Sequence, residues 1–251
     1  MPTVRRSHKN QKSSDVAELV QLWLLRLLVP LGGHRDFITQ DGFCNDALAT
    51  AVGLEKWIAP APLDFDPKAV RAELRKLHEA GEKKLRNATS PACLKRNVAR
   101  LTDLVGLSNT DCRILEFTVL LYNERVLDDA ADLLEELSSV KVFRTLAVLL
   151  DIPEHHIRSS LSAKSILCKS GMVVLDRGNC LTLSRKLDLL SGSFSEDIFC
   201  SDADPVSLLR DMVALSSPAQ LKISDYEHIA PSLAVLRPYL RRSFETGRRG
   251  V

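Results

Sequence analysis

The chain has 251 residues, 45% of them apolar and only 5% aromatic. That is enough for one large domain or two small ones, with a core built from Leu, Val, Ile and Ala. The Leu-rich, Gly-poor composition favours helix over sheet, and a formal net charge of +2 excludes the strongly basic class, so the distribution of charge says more than its sum.

Residues 1–14 are polar and basic without a single acid, and read as a disordered basic arm. Asp15 is placed to cap a helix carrying Val16, Leu19, Val20, Trp23 and Leu27 on one face. Arg5, Arg6, Lys9 and Lys12 before an apolar stretch invite comparison with a signal peptide. Glu18, Gln21 and Arg26 interrupt that stretch, and Gly32-Gly33 ends it without a small-residue cleavage site. An amphipathic helix packed on a core is the better reading, and no other segment is apolar enough to span a membrane. A short helix over about Asn45–Val52 follows, then an extended connector at Ala59-Pro60-Ala61-Pro62.

Asp66-Pro67 is a cap followed by a first-turn proline, and predicts a helix to about Lys84 with Val70, Leu74 and Leu77 on its stripe. Residues 68–100 hold ten Lys/Arg against three Glu, which marks a solvated face or a surface for an acidic partner. Ser90-Pro91 reads as a boundary. Beyond it come a helix over about Leu94–Val105, ended by Gly106, and a helix to about Tyr122 opened by Ser108 and Asp111, with Ile114, Phe117, Thr118 and Leu121 buried. Asp128-Asp129 lead into a helix ending near Leu137, with two acids complementing its dipole. Residues 101–137 carry nine acids and two Arg, whereas residues 138–190 carry eight Lys/Arg and four acids. Such a sign change either docks neighbouring segments or sets apart a nucleic-acid-facing module.

The most informative stretch is Ser138–Leu190. Ser138 or Ser139 caps a helix with Val142, Leu146, Val148 and Leu149; a turn at Asp151-Ile152-Pro153 leads to a second helix from about Pro153 to Leu161, extended by Ser162–Lys169. After Ser170-Gly171, the runs Met172–Leu175 and Cys180–Leu183 flank the turn Asp176-Arg177-Gly178-Asn179 and predict a two-stranded ribbon. Helix, turn, helix and ribbon is the order of a winged helix. The predicted class is therefore mainly α: a helical bundle with a winged-helix-like module. The regions are 1–14, 15–90, 91–137, 138–190 and 191–251, the last holding C-terminal helices. Placed in a major groove, such a module would contact DNA through His155, His156, Arg158, Ser159, Lys164, Arg177 and Asn179. The same residues serve equally as contacts to a protein partner, because many winged helices bind proteins.

Catalytic signatures are missing from the sequence. No GxxxxGK[ST] loop, HExxH, GxSxG or dinucleotide fingerprint occurs, and Gly81-Glu82-Lys83-Lys84 lacks both the first glycine and the hydroxyl of a phosphate loop. Asp128-Asp129 and Glu135-Glu136 read as solvated faces, and Asp225 with His228 as a helix start. The six cysteines contain no CxxC pair and read as reduced thiols of a cytoplasmic protein. His155, His156, Cys168 and Cys180 fit no common zinc spacing. No cofactor, metal or catalytic residue is assigned.

From about Leu94 onward the chain resembles the region upstream of the ATPase module in a group of mostly bacterial AAA-family ATPases. The resemblance rests on GLSNTDCRILEF (Gly106–Phe117), LLDIPEHHIRSSL (Leu149–Leu161), SILCKSGMVVLD (Ser165–Asp176), KLDLLSG (Lys186–Gly192) and APSLAVLRPYLRRSFETGRRGV (Ala230–Val251). Gly247-Arg248-Arg249-Gly250-Val251 matches the lead-in to the strand before the phosphate loop, so the expectation is a chain truncated before its Walker A motif. The resemblance implies a non-catalytic interaction and regulatory region whose partner is an AAA motor domain or another protein subunit, not a membrane. The alternative is a stand-alone winged-helix DNA-binding regulator.

Overall fold

The computed structural model describes residues 5–58, 65–134, 137–178, 182–200, 220, 222 and 225–246, with side chains from residue 17 onward and Cys200 excepted. The Ala59–Pro62 connector, Glu135-Glu136, Asn179, Cys180, Leu181 and the Gly247–Val251 lead-in lie outside them. The protein is mainly helical with a small two-stranded antiparallel sheet. It divides into two units, Met1–Asp211 and Met212–Val251.

The first unit opens with α1 (Arg5–Leu28). The helix starts ten residues before Asp15, so residues 5–14 of the expected arm belong to it and Asp15 lies inside rather than at its cap. No Gly or Pro occurs between Thr3 and Val29, so nothing local stops the helix from propagating toward the N-terminus. α2 (His34–Phe37) and α3 (Asp46–Ala51) follow, the latter capped by the Asn45 side chain, which accepts the Leu48 N–H at 3.1 Å. Glu55–Trp57 form one 3₁₀ turn.

α4 (Pro67–Lys84) has the expected start: the Asp66 carboxylate accepts the Lys68 N–H at 2.8 Å, ahead of Pro67 in the first turn. Its Val70 and Leu74 are buried against α1. Near its end a glycine is needed for close approach, because a Cβ on Gly81 would meet Leu25 Cδ1 of α1 at 2.8 Å. α5 (Ala92–Val105) ends at Gly106, whose φ of +80° suits a residue without a Cβ. α6 (Asn109–Asn123) begins with a full capping box: Ser108 Oγ accepts the Asp111 N–H, and Asp111 accepts the Ser108 N–H at 2.9 Å. Ile114, Leu115, Phe117, Thr118, Val119, Leu120 and Leu121 are all buried, which makes α6 the central helix. Trp23 of α1 meets Phe117 edge to face at 5.0 Å.

α7 spans Arg125–Ala131, so it begins before Asp128-Asp129 and ends well short of Leu137. Leu127, Ala130 and Ala131 are the residues it buries, and burial of these sets its extent instead of the acidic pair. α8 (Ser139–Leu150) is capped by Ser138, which accepts the Lys141 N–H at 3.3 Å; it stops at Asp151, held at a left-handed φ of +52°. The predicted second helix is divided into α9 (Glu154–Ser160) and α10 (Ile166–Lys169), because Ser165 opens a new N-cap by accepting the Cys168 N–H at 3.2 Å.

The ribbon needs a correction. β1 (Val173–Leu175) pairs with β2 (Leu187–Leu189), in the register Val173↔Leu189, Val174↔Asp188, Leu175↔Leu187, and not with the run 180–183. Leu183 lies instead in α11 (Leu183–Lys186), whose N-cap Thr182 accepts the Arg185 N–H. Leu187-Asp188-Leu189 supplies the buried–exposed–buried alternation that a half-covered strand requires. Lys186 is 1% exposed, and its ammonium donates to the carbonyls of Asp176 and Gly178, closing the loop between the strands. α12 (Gly192–Cys200) packs on α5 and α6. Asn97 Nδ2 donates to Ile198 O at 2.9 Å, and Asn123 Nδ2 to Ser195 Oγ at 2.7 Å.

In the second unit, a 3₁₀ turn at Glu227–Ile229 leads into α13 (Ala230–Glu245), which buries none of its residues. No helix among the described residues is long and apolar enough to cross a membrane.

Candidate functional site

The residues predicted for a winged-helix contact face fall on three elements. His155, His156, Arg158 and Ser159 are exposed on α9, Lys164 lies exposed in the turn before α10, and Arg177 is exposed just after β1. Asn179 is outside the described residues. Ile157, between the histidines and Arg158, is buried, so α9 presents one face to the core and the other outward. Arg158 is not a free cation. Its Nε and Nη2 donate to Glu154 Oε1 at 2.8 and 2.6 Å, and its guanidinium lies 4.8 Å from the centre of the Phe143 ring. The His155 and His156 rings sit 4.2 Å apart, and Ser159 Oγ donates to His155 O. Lys164 and Arg177 are left as the outward-facing cations of the set. Among the described residues no group of three or more His, Cys, Asp or Glu is arranged to hold a metal.

Sequence reading missed two polar clusters. The first is centred on Arg26, which interrupts the apolar stretch of α1 yet is only 5% exposed. Nε and Nη2 donate to the two carboxylate oxygens of Glu82 at 2.6 and 2.9 Å, and Nη1 donates to Leu149 O at 2.6 Å. One guanidinium thereby ties α1 to α4 and to the end of α8. The hydrogen bond from Arg26 holds the Glu82 carboxyl below its ordinary range. This bidentate geometry suits a guanidinium and no other side chain. The i,i+4 pattern that finds such partners within one helix is blind to a pair 56 residues apart.

The second cluster lines a cleft of about 430 Å³ between α1, the turn after α4, α5 and α6. Leu19, Trp23 and Leu150 form its apolar side; Ser90, Lys95, Cys112, Arg113 and Glu116 form its polar side. Ser90 Oγ donates to Glu116 Oε2 at 2.6 Å. Burial raises the Glu116 carboxyl, lowers the half-buried Arg113 guanidinium and raises the Cys112 thiol. Arg113 makes no hydrogen bond among the described residues. The sequence signal for this site was the row Cys112, Arg113, Glu116, polar groups interleaved with a stripe of core residues.

In the second unit α13 exposes large apolar side chains: Val235 is 74% and Phe244 86% exposed, with Leu236, Tyr239 and Leu240 also open. At about 100° per residue, Leu233, Leu236, Leu240 and Phe244 fall together with Tyr239 to one side and Arg237 at the other edge, while Arg241, Arg242 and Glu245 lie farther round, Val235 among them beside Arg242.

These features define, among the described residues, a mainly helical protein with a small ribbon, an open cleft and an apolar helix face. Comparison of the chain with protein-family models, with curated proteins and with solved structures finds no match.

Proposed function

We propose that the chain is a non-catalytic interaction and regulatory region that works with an AAA-family motor domain in the cytoplasm, and that α13 is the element that engages it. The observation that carries this reading is the apolar face of α13. Large contiguous apolar surfaces are uncommon on a protein that acts alone and mark sites of association, and helix faces with anchors at i, i+3 and i+7 are a recurring docking form. The resemblance of Ala230–Val251 to the segment leading into such motors supports the same partner. Residues 138–190 are, on this reading, the winged-helix-like module: α8, the turn at Asp151-Ile152-Pro153 and α9 come first, and β1 and β2 supply the paired strands, with α10 before them and α11 between them.

The test places a photo-crosslinking residue at Phe244 and, separately, at exposed Glu227 as a control. Crosslinking through position 244 to a chain that carries phosphate-loop and arginine-finger motifs is the expected result. Capture of a partner lacking them, or equal capture from position 227, overturns the reading. Calorimetry with ATP checks the non-catalytic half: stoichiometric binding would sink it.

The second reading, a stand-alone DNA-binding regulator, is favoured by the exposure of Lys164 and Arg177, the two cations of the set without a protein partner among the described residues. Neutralising Arg158, Lys164 and Arg177 together tests it by duplex titration at two salt concentrations. A regulator that uses this face loses affinity and up to about three phosphate contacts of salt slope. An unchanged slope removes the face from consideration.

A further inference from the structure

We infer that the cleft between α1, α5 and α6 is a binding site for a small organic monoanion, a carboxylate joined to an apolar body. The cleft has the composition that small-molecule sites share: an apolar wall and a few convergent polar groups. Trp23, Leu19 and Leu150 make the wall, each buried in the core and showing only an edge to the cleft, which suits an apolar ligand body.

The charged groups choose the sign of the ligand. Arg113 brings a half-buried guanidinium to the cleft with its five N–H donors unused among the described residues. A half-buried guanidinium without a protein acceptor still reaches the solvent in the cleft, and a bound carboxylate can take the place of that water through two parallel hydrogen bonds. Lys95 adds an exposed second cation at the rim. Arg86 also lines the cleft, but Asp151 accepts from it at 3.2 Å, so its charge is already balanced.

Glu116 limits how much negative charge the site accepts. Its carboxylate is fixed in the cleft by the Ser90 hydroxyl, and it opposes a second anionic group nearby. A carboxylate, with one charge, answers Arg113 and Lys95 without excess. A phosphate dianion doubles its attraction to Arg113 and Lys95 and its repulsion from Glu116 alike, and leaves the site, whose three charges sum to +1, with one negative charge in excess.

The chain's two tryptophans make the test direct. In full-length protein carrying Trp57→Phe, Trp23 in the cleft is the remaining indole, and its fluorescence reports occupancy. The probes are 4-phenylbutyrate, 4-phenylbutan-1-ol, 4-phenylbutylamine and phenyl phosphate. The expected result is a saturable change with 4-phenylbutyrate, half-complete at about 1 mM or below, and affinities at least about tenfold weaker for the other three, the ordinary consequence of losing one charge-assisted contact or adding a repulsive one. Arg113→Gln is expected to lose the 4-phenylbutyrate response by the same factor. If that variant melts at a lower temperature, Lys95→Gln replaces it. Lys95 is exposed, so its loss leaves the fold intact, and a several-fold weaker affinity is expected. Three results overturn the site: no saturable change with 4-phenylbutyrate, equal binding of the alcohol or amine, or parental affinity in the folded variant. Equal binding of phenyl phosphate overturns the monoanion assignment.

Discussion

α6 and α13 are nearly the same length, 15 and 16 residues, and both carry apolar residues at helical spacing. Their fates differ completely. α6 is surrounded: it starts with a capping box, buries eight residues and takes Phe117 to 0% exposure against Trp23. α13 has no side-chain cap, contains Pro238 and buries nothing. Apolar periodicity specifies that a helix has a face to cover. It does not specify what covers it. In α6 the cover is the rest of the first unit; for α13 the proposal above assigns it to a partner.

The sharpest way to break this contrast is at its buried pole. Phe117→Ala removes a fully buried ring from the central helix and leaves a cavity beside Trp23. The expected cost is about 3–5 kcal/mol, enough to unfold a marginally stable domain. Denaturant unfolding followed by far-UV circular dichroism measures it. A loss below about 1 kcal/mol would mean that α6 is not the centre of the core.

Arg26→Ala comes next, with an expected loss of about 3 kcal/mol. The substitution leaves the Glu82 carboxylate partly buried without its cation and the Leu149 carbonyl without its donor. Arg26→Ala with Glu82→Ala should recover part of the loss, because the orphaned charge goes with the second change. A double variant no more stable than the single one would show that the pair is not coupled.

How far these features could be read from sequence follows from the distance over which they act. The caps at Asp66, Ser108 and Ser138 and the stop at Gly106 are local chemistry, with donor and acceptor within four residues, and the residue types alone announce them. α7 and β2 were misplaced because tertiary packing sets their limits. Leu187–Leu189 and the run near Leu181 are both short and apolar, and only pairing with β1 tells them apart. The candidate faces divide in the same way. The exposed residues of α9 were legible from the turn before them, although the tie of Arg158 to Glu154 and Phe143 was not foreseen. The Arg26–Glu82 pair joins residues 56 apart, which no spacing rule reaches; the row Cys112, Arg113, Glu116 stands on one helix, but its partner Ser90 and the α1 wall opposite it do not follow from spacing.

The third prediction uses pH, and two carboxyls act in opposite senses. Burial raises Glu116 above its ordinary value of 4.5. The folded protein therefore binds its proton more tightly than the unfolded chain does, and stability falls as pH rises from 4.5 through the raised value. Glu116→Gln should raise the melting temperature at pH 7, and the gain should disappear below pH 4.5, where both forms are neutral. Glu82 is lowered from 4.5, chiefly by its hydrogen bond from Arg26. Its contribution is present above 4.5 and is lost as pH falls through the lowered value, so Glu82→Gln should be destabilising at pH 7 and less so in acid. Melting curves from pH 3 to 8 separate the two, and a Glu116→Gln gain that persists at the acid end would rule out desolvation as its cause.

The smallest expected effect is at the exposed pole of the comparison. Phe244 is chemically identical to Phe117, and the same truncation is available at both positions. At 86% exposure the ring at 244 has little apolar area to lose on unfolding, so Phe244→Ala should shift the stability of the isolated chain by no more than about 0.5 kcal/mol in either direction. Its solubility should rise slightly, because an aromatic ring leaves the surface. Measured alongside Phe117→Ala under the same conditions, it makes the two helices a controlled pair: one residue type, one substitution, two environments. A loss of about 2 kcal/mol or more at 244 would show that α13 is covered within the isolated chain, and its apolar face could then no longer serve as the element that engages a motor domain.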